Sequence, residues 1–267
     1  VSRIADTFKA AARAKRAVFI PYITAGDPNL DRSLELAIAL ERAGADVLEL
    51  GVPFSDPMAD GPTNQRAAER ALAAGTSLRS VLQLAREIRS RSAMAIVLFT
   101  YANPVVRFGV ERFAEQAAAS GVDGVLFTDV PAEEMSWFRG FLKAARLDAI
   151  MLVTPTSTRN RMKAAARFGG GFLYLVSRTG VTGARHDLDR ELETHVRTAR
   201  KASRLPVAVG FGISTPDQVS RIAAIADGVV VGSAIVNQIS DEGDTDQLAR
   251  RVEEFAGPLA QACRKRW

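Results

Sequence analysis

The chain has 267 residues, 47% of them apolar and 24% charged, with a formal net charge of +5. That balance provides a sizeable core, in one large domain or two small ones, and excludes an acidic or basic tail protein. The basic clusters Arg13-Ala-Lys-Arg16 and Arg264-Lys-Arg266 hold no interleaved aromatic residues. They read as solvated helix ends, and no nucleic-acid partner is expected.

Ser2–Lys15 reads as an amphipathic charged helix without a signal-peptide pattern, and no apolar run reaches membrane-spanning length. No membrane association and a cytoplasmic location are therefore expected. Short apolar runs then alternate with longer amphipathic stretches. The runs are Val18–Thr24, Asp46–Gly51, Ala95–Tyr101, Asp123–Asp129, Ala149–Thr154, Phe172–Ser177, Pro206–Gly210 and Gly228–Gly232. Most are nearly continuous in Val, Ile, Leu and Phe, as parallel strands covered by helices on both faces require. Helical patterns lie between them, among them Leu30–Ala43, Leu78–Ser90, Val110–Ser120, Glu133–Ala145 and Leu188–Ser203, with a last one over Asp244–Arg264. Ala43-Gly-Ala-Asp46, Ser120-Gly-Val-Asp123 and Ala226-Asp-Gly228 share a Gly/Asp lead-in to a strand, a weak internal repeat. In the first two, the glycine suits a left-handed helix end. Eight strands and at least eight helices in this length predict an α/β fold, a (β/α)8 TIM barrel with additional N-terminal and C-terminal helices, residues 1–267 forming one domain. A doubly wound open sheet is the alternative.

Alternate residues of a barrel strand point inward. Val47 and Glu49 share one face of their run, Leu48 and Leu50 the other. An inward Glu49 enters the mouth of the barrel, where Tyr22, Tyr101 and Tyr174, the only tyrosines, and Asp129 also end apolar runs. Apolar walls disfavour the charged carboxylate, so a glutamate there can give and take protons near neutral pH. Asp60, in a polar loop beside Gly61, is expected to stay ionised and accept a hydrogen bond. Asp56, before Pro57, reads as a turn residue.

Gly210-Phe-Gly-Ile-Ser-Thr-Pro216 and Gly232-Ser-Ala-Ile-Val236 each follow a strand and open a helix. Glycine admits a phosphate close to the backbone, and free amides at a helix start favour an anion. Phosphate after the seventh and eighth strands is a recurrent barrel arrangement. The polar segment Ser177–Asp187 carries Gly180 and Gly183 and suits a lid. No lysine sits at a predicted strand end, His186 and His195 lack a partner at metal-ligand spacing, and Cys263 is the only cysteine. Schiff-base, metal and thiolate chemistry are thus not expected. Proton transfer on a phosphorylated, apolar substrate remains.

The stretch Glu49-Leu-Gly-Val-Pro-Phe-Ser-Asp-Pro-Met-Ala-Asp-Gly-Pro-Thr63 closely resembles the signature of the tryptophan synthase alpha subunit family. Tyr22-Ile-Thr-Ala-Gly-Asp-Pro28, Tyr101-Ala-Asn-Pro104, Asp129-Val-Pro131, Ser177-Arg-Thr-Gly-Val-Thr-Gly183 and Gly210-Phe-Gly-Ile-Ser214 extend the likeness in order along nearly the whole chain. The resemblance implies cleavage of indole-3-glycerol phosphate to indole and glyceraldehyde 3-phosphate without a cofactor. It implies that Glu49 protonates the indole carbon and then takes the glycerol hydroxyl proton, while Asp60 accepts the indole N–H. It places Phe99, Tyr101, Leu126, Tyr174 and Phe211 around the indole. Gly183, Gly212, Gly232 and Ser233 would hold the phosphate, and Thr182 would meet Asp60 on lid closure. It also implies a pyridoxal-phosphate-dependent beta subunit as partner in an alpha2-beta2 complex. Asn64 stands where the family usually has an apolar residue, and Thr128 and Thr154 replace commoner small or apolar ones. Other readings are a stand-alone lyase, a catalytically weak activating subunit, or an unrelated phosphate-binding barrel isomerase.

Overall fold

The computed structural model describes residues 2–177, 185–210 and 212–264, with 185–189 described in backbone only. The chain opens with α1 (Arg3–Arg13), started by Ser2, whose hydroxyl accepts from the Ala5 N–H. β1 (Val18–Thr24), α2 (Leu30–Ala43) and β2 (Val47–Gly51) follow, then α3 (Pro62–Ala73), α4 (Leu78–Arg91) and β3 (Ala95–Thr100). α5 (Ala102–Phe108) and α6 (Val110–Ala119) lead to β4 (Gly124–Phe127), and α7 (Met135–Ala144) leads to β5 (Asp148–Val153). α8 (Arg159–Phe168) precedes β6 (Leu173–Val176), α9 (Arg185–Ala202) precedes β7 (Val207–Gly210), and α10 (Pro216–Ile225) precedes β8 (Gly228–Val231). α11 (Ser233–Glu242) and α12 (Leu248–Ala262) complete the described elements.

All neighbouring strands pair in parallel, and β1 closes on β8 with Val18 opposite Gly228. The closure decides for the (β/α)8 barrel over the open sheet. Every strand keeps the two-residue alternation. Phe19, Ile23, Leu48, Leu50, Ile96 and Leu98 face outward into the core shared with the helices. Val18, Ile20, Val47, Val97, Leu126 and Ile150 fill the barrel interior. Ile4 and Phe8 of α1 join that inner cluster, so the N-terminal helix plugs the bottom of the barrel, with the Phe8 and Phe172 rings 5.3 Å apart.

The Gly/Asp lead-ins have a common physical cause. Gly44 and Gly121 take positive φ (109° and 81°) as the chain leaves a helix. The aspartates sit just before the strands and bind the start of the preceding one. Asp46 accepts from the Phe19 N–H (2.9 Å), Asp123 from that of Ile96 (2.9 Å), and Asp227 from that of Val207 (3.0 Å). Each also holds an arginine: Arg16 on Asp46, Arg89 and Arg3 on Asp123, Arg200 on Asp227. The carboxylates therefore stitch adjacent strands at the N-terminal rim, and for that reason β2 and β4 begin one residue later than the runs that open at Asp46 and Asp123.

α3, α5 and α8 had no clear apolar period in the sequence. α3 buries only alanines (Ala67, Ala68, Ala71) and α8 only Met162 and Ala165, stripes too thin to read as helix faces. Among the described residues no helix is long and apolar enough to cross a membrane.

Candidate active site

The C-terminal mouth of the barrel holds the cavity that matters. Glu49 stands on β2 between Tyr22 of β1 and Val97 of β3. It is 1% exposed, and its Oε1 is buried without a hydrogen-bond partner among the described residues. Burial alone raises its pKa from 4.5 to about 8. At neutral pH this carboxyl is mostly protonated, yet close enough to its midpoint to give up the proton.

Aromatic walls cause that burial. The rings of Tyr22 and Phe99 meet edge-on at 5.2 Å, and Tyr174 closes the β6 side. Burial, foremost, pushes the Tyr22 and Tyr174 hydroxyls well above the usual range, so both stay neutral donors. The walls also constrain the strand ends beneath them. A Cβ on Gly51 would lie 2.2 Å from the Tyr22 hydroxyl, and one on Gly210 would lie 2.2 Å from the Tyr174 hydroxyl. Glycine suits these positions because the hydroxyl end of each ring sits where a side chain would begin.

Asp60 reaches the cavity from the loop before α3. Tyr101, at the start of α5, donates its hydroxyl to Asp60 Oδ2 (2.7 Å) and accepts the Ala59 N–H (3.0 Å). Asp60 accepts a hydrogen bond as expected, but its polar loop does not keep it in a polar setting. Burial is the largest influence and raises its pKa, while hydrogen bonds from Tyr101 and Asn64 oppose the rise. The loop is fixed from α3. Gln65 donates its side-chain amide to the Asp60 carbonyl (2.9 Å), and Arg70 grips the buried Asp27 through two nitrogens (2.8 and 2.7 Å). α3 starts at Gly61 and Pro62, directly after Asp60, with no side-chain cap.

Across the mouth, Gly212, Gly232 and Ser233 complete a cavity of about 250 Å³ with Glu49, Asp60, Tyr22, Phe99 and Tyr174. α11 starts at Ser233 with Gly232 as an N-cap lacking a side-chain bond. The first intrahelical bonds come from Ile235 and Val236 to the Gly232 carbonyl, which leaves the amides before them directed out of the helix start. The neighbouring α10 differs from expectation. Its Ser214 and Thr215 N–H groups are taken by Gln218 Oε1 (2.8 and 3.1 Å) in a capping box. Of the two expected anion cradles, the α11 start is open, while at the α10 start Gln218 takes the Ser214 and Thr215 amides and Gly212 alone lines the cavity among its described residues.

Not every expected residue gathers here. Leu126 is not in the cavity lining itself and belongs to the barrel-interior cluster that also holds Tyr174 and Phe99. Asp129 is exposed and accepts the Ala102 N–H (2.8 Å), so it caps α5 and stays out of the cavity. Asp56 is exposed and takes the Ser55 hydroxyl. Thr182, Gly183 and Phe211 lie outside the described residues, as does most of the expected lid, and α9 begins at Arg185. Sequence reasoning missed Pro62, Thr63 and Val230 in the lining and noted Asn64 only as a departure. Its position four residues after Asp60, at a helix start, was the available signal.

The family model for the tryptophan synthase alpha chain matches residues 8–264. The chain belongs to this family. It is 49% identical to the tryptophan synthase alpha chain of Geobacter sulfurreducens over 98% of this chain and 99% of that one. The Xylella fastidiosa alpha chain is 46% identical over 97% of each. The crystal structure of the Legionella pneumophila subunit alpha superposes with a TM-score of 0.91 at 36% identity, covering 98% of both chains. A tryptophan synthase structure from M. tuberculosis superposes with a TM-score of 0.90 at 35% identity, covering 99% of this chain and 100% of that one. Family membership makes the chain a lyase of tryptophan biosynthesis, acting on indole-3-glycerol phosphate.

Proposed function

We propose that Glu49 is the proton shuttle of the lyase and Asp60 its electrostatic partner. The observation that carries this reading is the buried Glu49, raised to about 8 and free of any described cation, in one cavity with Asp60 and the open α11 start. Protonated Glu49 gives its proton to the indole carbon that bears the glycerol chain, and the ring becomes a cationic indolenine. Asp60 accepts the ring N–H and offsets the new positive charge. Glu49, now a carboxylate, takes the proton from the hydroxyl on the adjacent glycerol carbon. The carbon–carbon bond breaks, its electron pair returns to the ring, and the hydroxyl carbon becomes the aldehyde of glyceraldehyde 3-phosphate. Glu49 ends protonated, as it began. The substrate phosphate sits at Gly212, Gly232 and Ser233, with Gly183 and Thr182 contributing from the lid. Tyr22, Phe99, Tyr101, Leu126, Tyr174 and Phe211 shape the indole slot.

The same reading takes residues 1–267 as one barrel unit working in the cytoplasm with a pyridoxal-phosphate-dependent beta subunit, as an alpha2-beta2 complex. Its support is the likeness to M. tuberculosis tryptophan synthase, one structure of which is an aminoacrylate-bound form. On this chain Met58, 92% exposed in the Asp60 loop, is an apolar contact of the kind a partner covers. Indole release from indole-3-glycerol phosphate, measured with and without a beta subunit, tests the proposal. Release that rises with the beta subunit supports it. No release in either arm refutes the catalytic assignment, and full release without the beta subunit refutes the partnership.

A further inference from the structure

Among the described residues, two buried side-chain oxygens have no hydrogen-bond partner, Glu49 Oε1 and Asn64 Oδ1, and both residues line the same cavity. Buried polar atoms are as a rule paired, so each exception calls for a use. Proton transfer supplies one for Glu49 and none for Asn64. An amide oxygen accepts and cannot donate. Unpaired, it is costly, and an apolar side chain of equal size would avoid the cost. The place of Asn64 narrows what pairs with it. It is the third residue of α3, four positions after Asp60. One turn further on, Ala67 clusters with Val236 of α11 and with Tyr22. Val236 stands one turn after Ser233, where α11 starts. The two helices therefore meet beside the cavity, and Asn64 lies between Asp60 and the open amides at Gly232 and Ser233. A substrate with its ring at Asp60 and its phosphate at Ser233 carries its glycerol carbons past Asn64. Indole-3-glycerol phosphate has a ring N–H, which Asp60 takes, and a hydroxyl beside the ring, which Glu49 deprotonates. Its remaining hydroxyl, on the middle glycerol carbon, has no acceptor in that scheme. The Tyr22 hydroxyl is already engaged with Thr24 Oγ1 (3.2 Å). A neutral amide suits the middle hydroxyl, which has to be held without losing its proton.

We propose that Asn64 is a specificity-determining residue whose Oδ1 accepts the hydrogen bond of the substrate's middle glycerol hydroxyl. The proposal deepens the reading of the cavity given above and rests on it for the direction in which the substrate lies. Asn64 then selects substrates that carry this hydroxyl over those that lack it. The hydroxyl passes unchanged into glyceraldehyde 3-phosphate, so the bond holds ground state and transition state alike, and its loss raises KM rather than lowering kcat.

The test crosses residue with substrate. The full chain and its Asn64→Leu variant are assayed for indole release from indole-3-glycerol phosphate and from the analogue lacking only the middle hydroxyl. The parent should favour the natural substrate by about tenfold in kcat/KM, mostly through KM. Asn64→Leu should lose about tenfold on the natural substrate and discriminate between the two by less than about twofold. Asn64→Ala carries the same prediction should Asn64→Leu not fold. An equal loss on both substrates overturns the contact, as does discrimination that survives in the variant. Calorimetric binding of the same two ligands in a Glu49→Gln background, where turnover is suppressed, separates the contact from the chemistry. A difference in Kd of about tenfold that vanishes with Asn64→Leu upholds the contact even if Glu49 proves not to be the proton carrier. A difference that is absent from the start, or that survives the substitution, refutes the contact whatever the rates of the parent.

Discussion

The two ends of this barrel treat carboxylates in opposite ways. At the N-terminal rim, Asp46, Asp123 and Asp227 each hold an arginine and a backbone N–H, and none has a polar atom to spare for chemistry. At the C-terminal mouth, Glu49 is more deeply buried yet has no described ion-pair partner, and Asp60 takes the neutral Tyr101 hydroxyl with no ion pair among the described residues. The same functional group is a staple where its charge is matched and, in the proposed mechanism, a proton carrier where it is not. Burial alone does not separate the roles, since Asp123 is only 9% exposed. The presence of the cation separates them.

The largest effect should come from removing the unmatched acid. Glu49→Gln should lower indole release by roughly 10²–10⁴-fold, measured as kcat on indole-3-glycerol phosphate. The same variant sharpens the contrast through stability. Folded Glu49 titrates near 8 and the unfolded side chain near 4.5, so the folded state keeps a proton that the unfolded state loses. That contribution is whole below pH 4.5 and is lost as pH rises through about 8. Urea titrations at about pH 9 should therefore find Glu49→Gln more stable than the parent by roughly 2–4 kcal/mol, with little difference in acid. A parent chain whose stability is flat over that range would mean the carboxyl is not held in its neutral form.

Asp60→Asn should cost roughly 10²-fold in kcat with the circular dichroism spectrum unchanged, since a neutral acceptor cannot offset the indolenine charge. A near-normal rate would remove Asp60 from the mechanism. At the other rim the outcome reverses. Asp123→Ala strands Arg3 and Arg89 and frees the Ile96 N–H, and should destabilise the fold by about 3 kcal/mol in urea while each folded molecule turns over normally. Loss of kcat without loss of stability would blur the division between the two ends. Ser233→Ala should have the smallest effect, a few-fold rise in KM, or about 1 kcal/mol, if its hydroxyl adds to the backbone amides at the α11 start.

The scaffold was legible in the sequence because its signals are local. Near-continuous apolar runs fixed the strands, and the two-residue alternation alone placed Glu49 inward between Val47 and its layer. What escaped depends on residues that meet only in space. Asp60 sits among polar sequence neighbours, but Tyr101, which helps bury it, arrives from 41 positions away. The start of α10 read as an anion cradle from its glycines, although Thr215-Pro-Asp-Gln218 spells a capping box that takes the Ser214 and Thr215 amides internally and leaves Gly212 as the part that lines the cavity. Asp129 ended an apolar run as a pocket residue would, yet its carboxylate serves the nearest helix start.

The pairing of Tyr22 over Gly51 and of Tyr174 over Gly210 fixes the order in which the pocket can be redesigned. A library that mutates either glycine first meets a collision with the overlying hydroxyl and discards every member. Trimming the tyrosine first opens the space and makes the glycine permissive afterwards. Each couplet is thus a one-way gate in sequence space, and homologues that have lost the glycine should also have lost the tyrosine above it.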